Sequence, residues 1–153
     1  MTITALDIAR RMIGSKEVPG VASSYLVMTM LRLDTTWPQD DSVPWCSAFI
    51  NFVCWLLGLP RSKSLAARSW LAIGEIVPSI AGARPGFDVV VLTRNGGGHV
   101  GFYVGHDAAT VQLCGGNQHD AVTVANFPLT SLLGIRRLDR PEPVPTPEKP
   151  RPV

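Results

Sequence analysis

At 153 residues, 46% hydrophobic and 17% charged, the chain has the size and composition of one globular domain with ample material for a core. A net charge of +2 and a pI of about 8.6 argue against the dense basic surface of a nucleic-acid binder. Three cysteines, an odd number without C-x-x-C spacing, argue against a disulfide framework or a structural zinc site. The opening stretch, MTITALDIARRMIG, lacks the basic start and apolar run of a signal peptide. No apolar stretch reaches the roughly 20 residues of a membrane helix. The expected product is made in the cytoplasm without a signal peptide and does not insert into a membrane.

In chain order, Ile3, Leu6, Ile8, Ala9, Met12 and Ile13 recur at helical intervals, with Gly14 as a stop. Residues 25–33 form a second apolar segment that predicts a helix. DTTWPQDDSVP is a loop by composition. WCSAFINFVCWLLG predicts a buried helix, with Pro44 ahead of it and Gly58 at its end. LAARSWLAIG predicts a shorter helix. After Gly82 the texture changes to short runs rich in β-branched residues: FDVVVLT, HVGFYVG, TVQLCG, AVTVANF and GIRRL. The clusters RNGGG, HDAAT, GNQHD and FPLTS between them predict turns. Helices first and strands second predict an α+β fold with a meandering antiparallel sheet. The expected organisation is a single domain over residues 1–140 and a flexible proline-rich tail over 141–153, which has too little apolar content to join a core.

The residues with chemical potential are few. Cys46 opens the buried helix, where free backbone N–H groups and the helix dipole favour a thiolate. Its two readings are core packing and a nucleophile. Cys54, two turns further in, reads as core, and Cys114 as a strand residue packed in the sheet. A cysteine nucleophile needs a base, and the base an orienting group. His99 stands where Gly96–Gly98 meets a strand, so it is expected to be partly exposed and to titrate near neutral pH. It reads either as that base or as a surface histidine beside a turn. His106 and His119 read as solvated turn residues, and in a regular strand His106 would face away from His99. Asn117 follows the strand expected to pair beside that of His99. It reads either as a turn asparagine or as an amide that accepts the imidazole N–H. Gln118, pointing the other way, is expected to serve less well. Trp37 and Trp45 read as cleft lining or as core.

Taken together, VPWCSAFINFVCWLLGL, ARSWLAIG, GFDVVVL, GGGHVGFYVG, LCGGNQHDAVTV and LLGIRRL resemble the NlpC/P60 and CHAP superfamily over roughly residues 3–138. These are papain-like cysteine peptidases and amidases that cut bacterial peptidoglycan, and the likeness is to small phage-associated members. The resemblance implies N-terminal helices packed on a C-terminal antiparallel sheet or half-barrel. It implies Cys46 as nucleophile, His99 as base and Asn117 as the polar third member. Many CHAP domains carry a glutamate just before that asparagine, whereas here the segment is CGGNQ. No acidic calcium loop is recognisable, so neither a cofactor nor a metal is expected.

The activity implied is hydrolysis of an amide in the peptidoglycan peptide, by an endopeptidase or an N-acetylmuramoyl-L-alanine amidase. The expected partner is bacterial peptidoglycan, with no nucleic acid, and the expected state is a monomer. The setting implied is bacteriolytic: a phage endolysin or similar enzyme, released at lysis or delivered by a virion or a secretion system. The alternatives are a catalytically silent virion or binding module on the same fold, and another cysteine acyl-transfer enzyme.

Overall fold

The computed structural model describes residues 2–20 and 22–139. The stretch expected to be a flexible tail, 141–153, lies outside the described residues. Two short helices come first, α1 (Ala5–Arg11) and α2 (Tyr25–Leu31). A reciprocal capping box starts α1: Thr4 Oγ1 accepts from Asp7 N at 3.1 Å, and Asp7 Oδ2 accepts from Thr4 N at 2.9 Å. Arg10 and Arg11 sit in its last turn, where cations suit the dipole. Ser24 caps α2 by accepting from Val27 N. Both helices are shorter than their apolar periodicity suggests, and Ile3 and Ile13 remain exposed beyond the ends of α1.

The third helix, α3 (Cys46–Leu57), is the predicted buried one and ends at Gly58 in the left-handed conformation, φ 66°. The segment predicted as a shorter helix over LAARSWLAIG is a 3-10 helix, Ala67–Ala72. Its tighter turn places buried Ala67 and Trp70 on one side.

Six antiparallel strands follow: β1 (Glu75–Val77), β2 (Asp88–Arg94), β3 (Gly97–His106), β4 (Thr110–Gln118), β5 (Ala121–Pro128) and β6 (Leu132–Arg137). They form one sheet in the order β1-β6-β2-β3-β4-β5. Five of the strands occupy the predicted runs. β1 was not among them, because three residues are too few to show alternation. The β2–β3 and β3–β4 hairpins place three strands side by side, as short turns between alternating runs dictate.

The helices pack on one face of the sheet. Leu6, Ala9, Leu31, Phe49, Ile50, Val53 and Trp70 meet Val89, Val91, Val100 and Phe102 there. The other face carries a smaller cluster of strand residues, with Val90, Leu92, Tyr103, Leu113 and Ile135 at its centre and Phe127, Leu129 and Leu132 at its margin. A half-buried ion pair ties β2 to β6: Arg137 Nε and Nη2 donate to the two oxygens of buried Asp88 at 2.7 and 2.8 Å. No described helix is long and apolar enough to cross a membrane.

Candidate active site

The start of α3 is held by buried polar contacts. Ser47 Oγ donates to Ser64 O at 2.5 Å and accepts from Trp70 Nε1 at 2.9 Å. One turn on, Asn51 Nδ2 donates to Ser64 O, and its Oδ1 accepts from Lys63 N. The loop after the helix is thus stitched to the first turn, and Cys46 is fixed relative to the 3-10 helix. The N-cap residue is Trp45, which makes no side-chain cap bond. The first-turn N–H groups therefore carry no side-chain cap and face the thiol.

Cys46 opens onto a cleft of about 840 Å³. Its lining includes Pro44 and Leu65–Arg68 on one side, and Arg94–His99 with Asn117, His119 and Asp120 on the other. Cys46 and His99 share this cleft. Cys54 and Cys114 are fully buried elsewhere, their thiols pushed up by burial to about 12 and about 11. All three cysteines are free. Trp45 is buried in the core, with its Nε1 donating to Glu17 at 2.8 Å, while Trp37 is exposed outside the cleft.

Two electrostatic expectations are corrected. His99 is not partly exposed: 1% of its surface is accessible, its ring lies 5.0 Å from that of Phe127, and burial drives its pKa down to about 4. The Gly96–Gly98 segment did not leave the ring open, because β3 begins at Gly97 and His99 is already a paired strand residue opposite Leu92. Cys46 is also no low-pKa thiol in this state. Burial raises it, opposed by the N–H groups of Val100, Ser47 and Cys46 and by the positive charge of Arg94. The helix terminus acts in the expected direction, but desolvation outweighs it. The pair at rest is neutral thiol and neutral imidazole. Among the described residues no hydrogen bond joins the sulfur to the ring.

The polar group on the ring is Gln118, not Asn117. His99 Nε2 lies 2.9 Å from Gln118 Oε1 in a buried contact. The amide cannot be turned round, because Gln118 Nε2 donates to Thr123 O at 2.9 Å and Leu113 O at 3.3 Å, and carbonyls accept only. Oε1 must therefore accept from the ring, so Nε2 carries the proton and Nδ1 keeps its lone pair. Nδ1 has Arg94 Nη1 at 3.4 Å.

The physical reason lies in the backbone of β4. Pairing with β5 shifts register between Gly115 and Gln118, and Asn117 adopts φ 55° in that irregularity. Asn117 stays in the cleft lining, and its carbonyl accepts from Arg94 at 3.4 Å. The Asn117 side chain makes no hydrogen bond to the ring. A regular strand would have put Asn117 and Gln118 on opposite faces in the usual alternation, and the bulge breaks that count. The signal available in the sequence was the glycine pair before them. A Cβ on Gly115 would stand 2.5 Å from Gln118 Oε1, and one on Gly116 2.7 Å from the Trp45 ring. These glycines clear space for the amide and for the helix, where Gly115 had been read as the end of a strand and Gly116 as part of a turn.

His106 is exposed at the end of β3, and its Nδ1 lies 2.6 Å from the Tyr103 hydroxyl. A register shift between Tyr103 and Gly105 brings it beside Tyr103 and away from the regular alternation. His119 is an exposed turn residue as expected, but it also lines the cleft. Among the described residues no group of histidines, cysteines and carboxylates is placed to hold a metal ion.

The buried neutral state of His99 has a consequence for stability. The unfolded ring takes a proton near its ordinary value of 6.5, the folded ring only near about 4. Above 6.5 neither state binds the proton. As pH falls from 6.5 to 4 only the unfolded chain gains it, so stability is lost across that window and by its end amounts to about 3 kcal/mol. Urea midpoints of the wild type and His99→Gln should therefore converge on acidification. A gap independent of pH would show that the folded ring titrates normally.

No family model matches the chain, and no curated protein matches it. Among solved structures it is similar to NlpC1 from Trichomonas vaginalis, with a TM-score of 0.56 and 17% sequence identity. The match covers 89% of this chain and 44% of that one, so the chain spans less than half the length of that protein. The likeness is one of fold: helices first, then the antiparallel sheet that carries His99.

Proposed function

We propose that the chain is a papain-like cysteine hydrolase of the NlpC/P60 and CHAP kind, cutting an amide bond in the peptide of bacterial peptidoglycan. The observation that carries this reading is one cleft holding the helix-start thiol of Cys46 and a histidine whose far nitrogen is fixed by Gln118. The fold likeness to an NlpC protein supports it.

The rest-state protonation sets the order of steps. Cys46 gives its proton to the unprotonated His99 Nδ1, the nitrogen that Arg94 Nη1 approaches at rest, as the sulfur attacks the substrate carbonyl carbon. The N–H of Cys46, at the helix start, serves as a donor to the resulting oxyanion. The C–N bond then breaks, and the imidazolium returns its proton to the departing amine. The thioester is cleaved by a water that gives one proton to His99 as its oxygen attacks. The C–S bond breaks, the proton on His99 returns to the sulfur, and the product departs as a carboxylic acid that releases its own proton to solvent. Gln118 holds the ring throughout, accepting from Nε2, and the imidazolium exists only transiently, in keeping with its depressed pKa.

The proposed setting is bacteriolytic, with delivery to the wall by phage lysis, a virion or a secretion system. Purified cell walls incubated with the protein should lose turbidity. Mass spectrometry of the fragments should show new amine and carboxylate ends at one peptide position, which also decides between endopeptidase and amidase. Walls left intact by folded protein, across Gram-positive and Gram-negative preparations, would overturn the reading.

A further inference from the structure

The cleft carries two arginines that the reaction above does not use. Arg68 leaves the 3-10 helix and donates through Nε and Nη2 to Gly97 O at 3.3 and 3.0 Å. Arg94 ends β2 and reaches over the His99 ring, with Asn117 O as its other partner at 3.4 Å. Both are exposed, and both line the cleft beside Cys46. Among the described residues neither forms an ion pair, whereas Arg61, Arg84 and Arg137 each hold a carboxylate. Asp120 is the one carboxylate in the lining, and its charge, with those of Asp40 and Asp41, acts on Glu17 outside that lining. The arginines are therefore held in place by single backbone carbonyls, with donors to spare. The charge of Arg94 reaches both the Cys46 thiol and the His99 ring.

The geometry points to Arg94, assisted by Arg68, as a binding site for a substrate carboxylate next to the scissile amide. Resting on the proposed hydrolase reading, this narrows the substrate to wall peptides with a free α- or side-chain carboxylate within one residue of the cut. A guanidinium suits this task because its planar fork matches a carboxylate with two parallel N–H bonds. Arg94 also sits against the lone pair that must receive the thiol proton. A carboxylate that draws the guanidinium toward itself frees that lone pair, so the substrate group that confers affinity also clears the base.

The test has an arm that does not depend on hydrolysis. Cys46 of the full chain is alkylated with iodoacetate and with iodoacetamide, and the rate ratio is compared with that of free cysteine. The anionic reagent should be favoured by about tenfold, as expected for hydrogen bonds to a charged group. Arg94→Gln should bring the ratio close to that of free cysteine, Arg68→Gln should lower it partly, and Arg94→Lys should restore part of it. Melting curves check that the variants fold. In the second arm, two synthetic wall peptides differ only in a carboxylate or carboxamide beside the cleaved bond. The carboxylate form should have the higher kcat/KM, and Arg94→Gln should erase the difference. A wild-type ratio equal to that of free cysteine overturns the carboxylate site, even if walls are hydrolysed. An iodoacetate preference without any hydrolysis keeps the site and removes the hydrolase reading. Equal cleavage of both peptides overturns the substrate assignment.

Discussion

Cys46→Ala is expected to keep the fold and lose all wall hydrolysis. The side chain is 5% exposed and sits at the edge of the helix-face core, so removing its sulfur leaves a small gap beside the open cleft. A loss of about 1 kcal/mol of stability is the scale for such a deletion. The chemistry has no substitute nucleophile, because Cys54 and Cys114 are fully buried and held as thiols. A small alkylating agent should therefore label Cys46 first and stop the reaction stoichiometrically. The pH course of that labelling is informative. With burial holding the thiol above its ordinary value, the rate should climb through the alkaline range and show no plateau near neutrality. A plateau below pH 7 would reveal a thiolate–imidazolium pair already formed at rest. Faster labelling of Cys54 or Cys114 in the native protein would remove Cys46 from the nucleophile's role.

What the sequence made legible follows from the range of the interactions involved. The long apolar run with Pro44 ahead and Gly58 behind specified α3 almost to the residue, because capping and periodicity are local. The β-branched runs specified five strands for the same reason. The helix-start cysteine and the histidine singled out in the sequence line one cleft, the site proposed for the chemistry. Three things were beyond local pattern. The pKa values of Cys46 and His99 depend on how much water the fold removes, and a terminal position in a strand or helix says little about that. The choice of Gln118 over Asn117 depends on a bulge in the β4–β5 pairing, where Gly115 leaves room for the Gln118 amide and Gly116 for Trp45 and Phe49, groups distant in sequence. Arg94 was read as part of a turn cluster, and its reach over His99 appears only when β2 and β3 pair.

His99→Ala is expected to lower kcat/KM by about 10²–10⁴-fold, the range for a positioned acid–base group. The variants around it should then rank by what each does to the ring. Gln118→Ala leaves a buried N–H without its acceptor and frees the tautomer, so the lone pair no longer points dependably into the cleft. A loss near 10²-fold is the scale for a displaced catalytic group. Gly115→Ala should reproduce much of that loss with both His99 and Gln118 still present. Its new Cβ would fall 2.5 Å from Gln118 Oε1, and the movable end of that side chain must yield, drawing the acceptor off the ring. Asn117→Gly removes the amide while keeping the left-handed backbone at φ 55°, so it should stay within a few-fold of wild type. A merely structural role for Gln118 would lower stability and activity together. An orienting role moves something else, the ¹⁵N signals of the His99 ring, which should report Nε2–H in the wild type and a tautomer mixture in Gln118→Ala. Asn117→Gly falling as far as Gln118→Ala, with the ring signals unchanged in the latter, would return the third role to Asn117 and require β4 to rearrange when substrate binds.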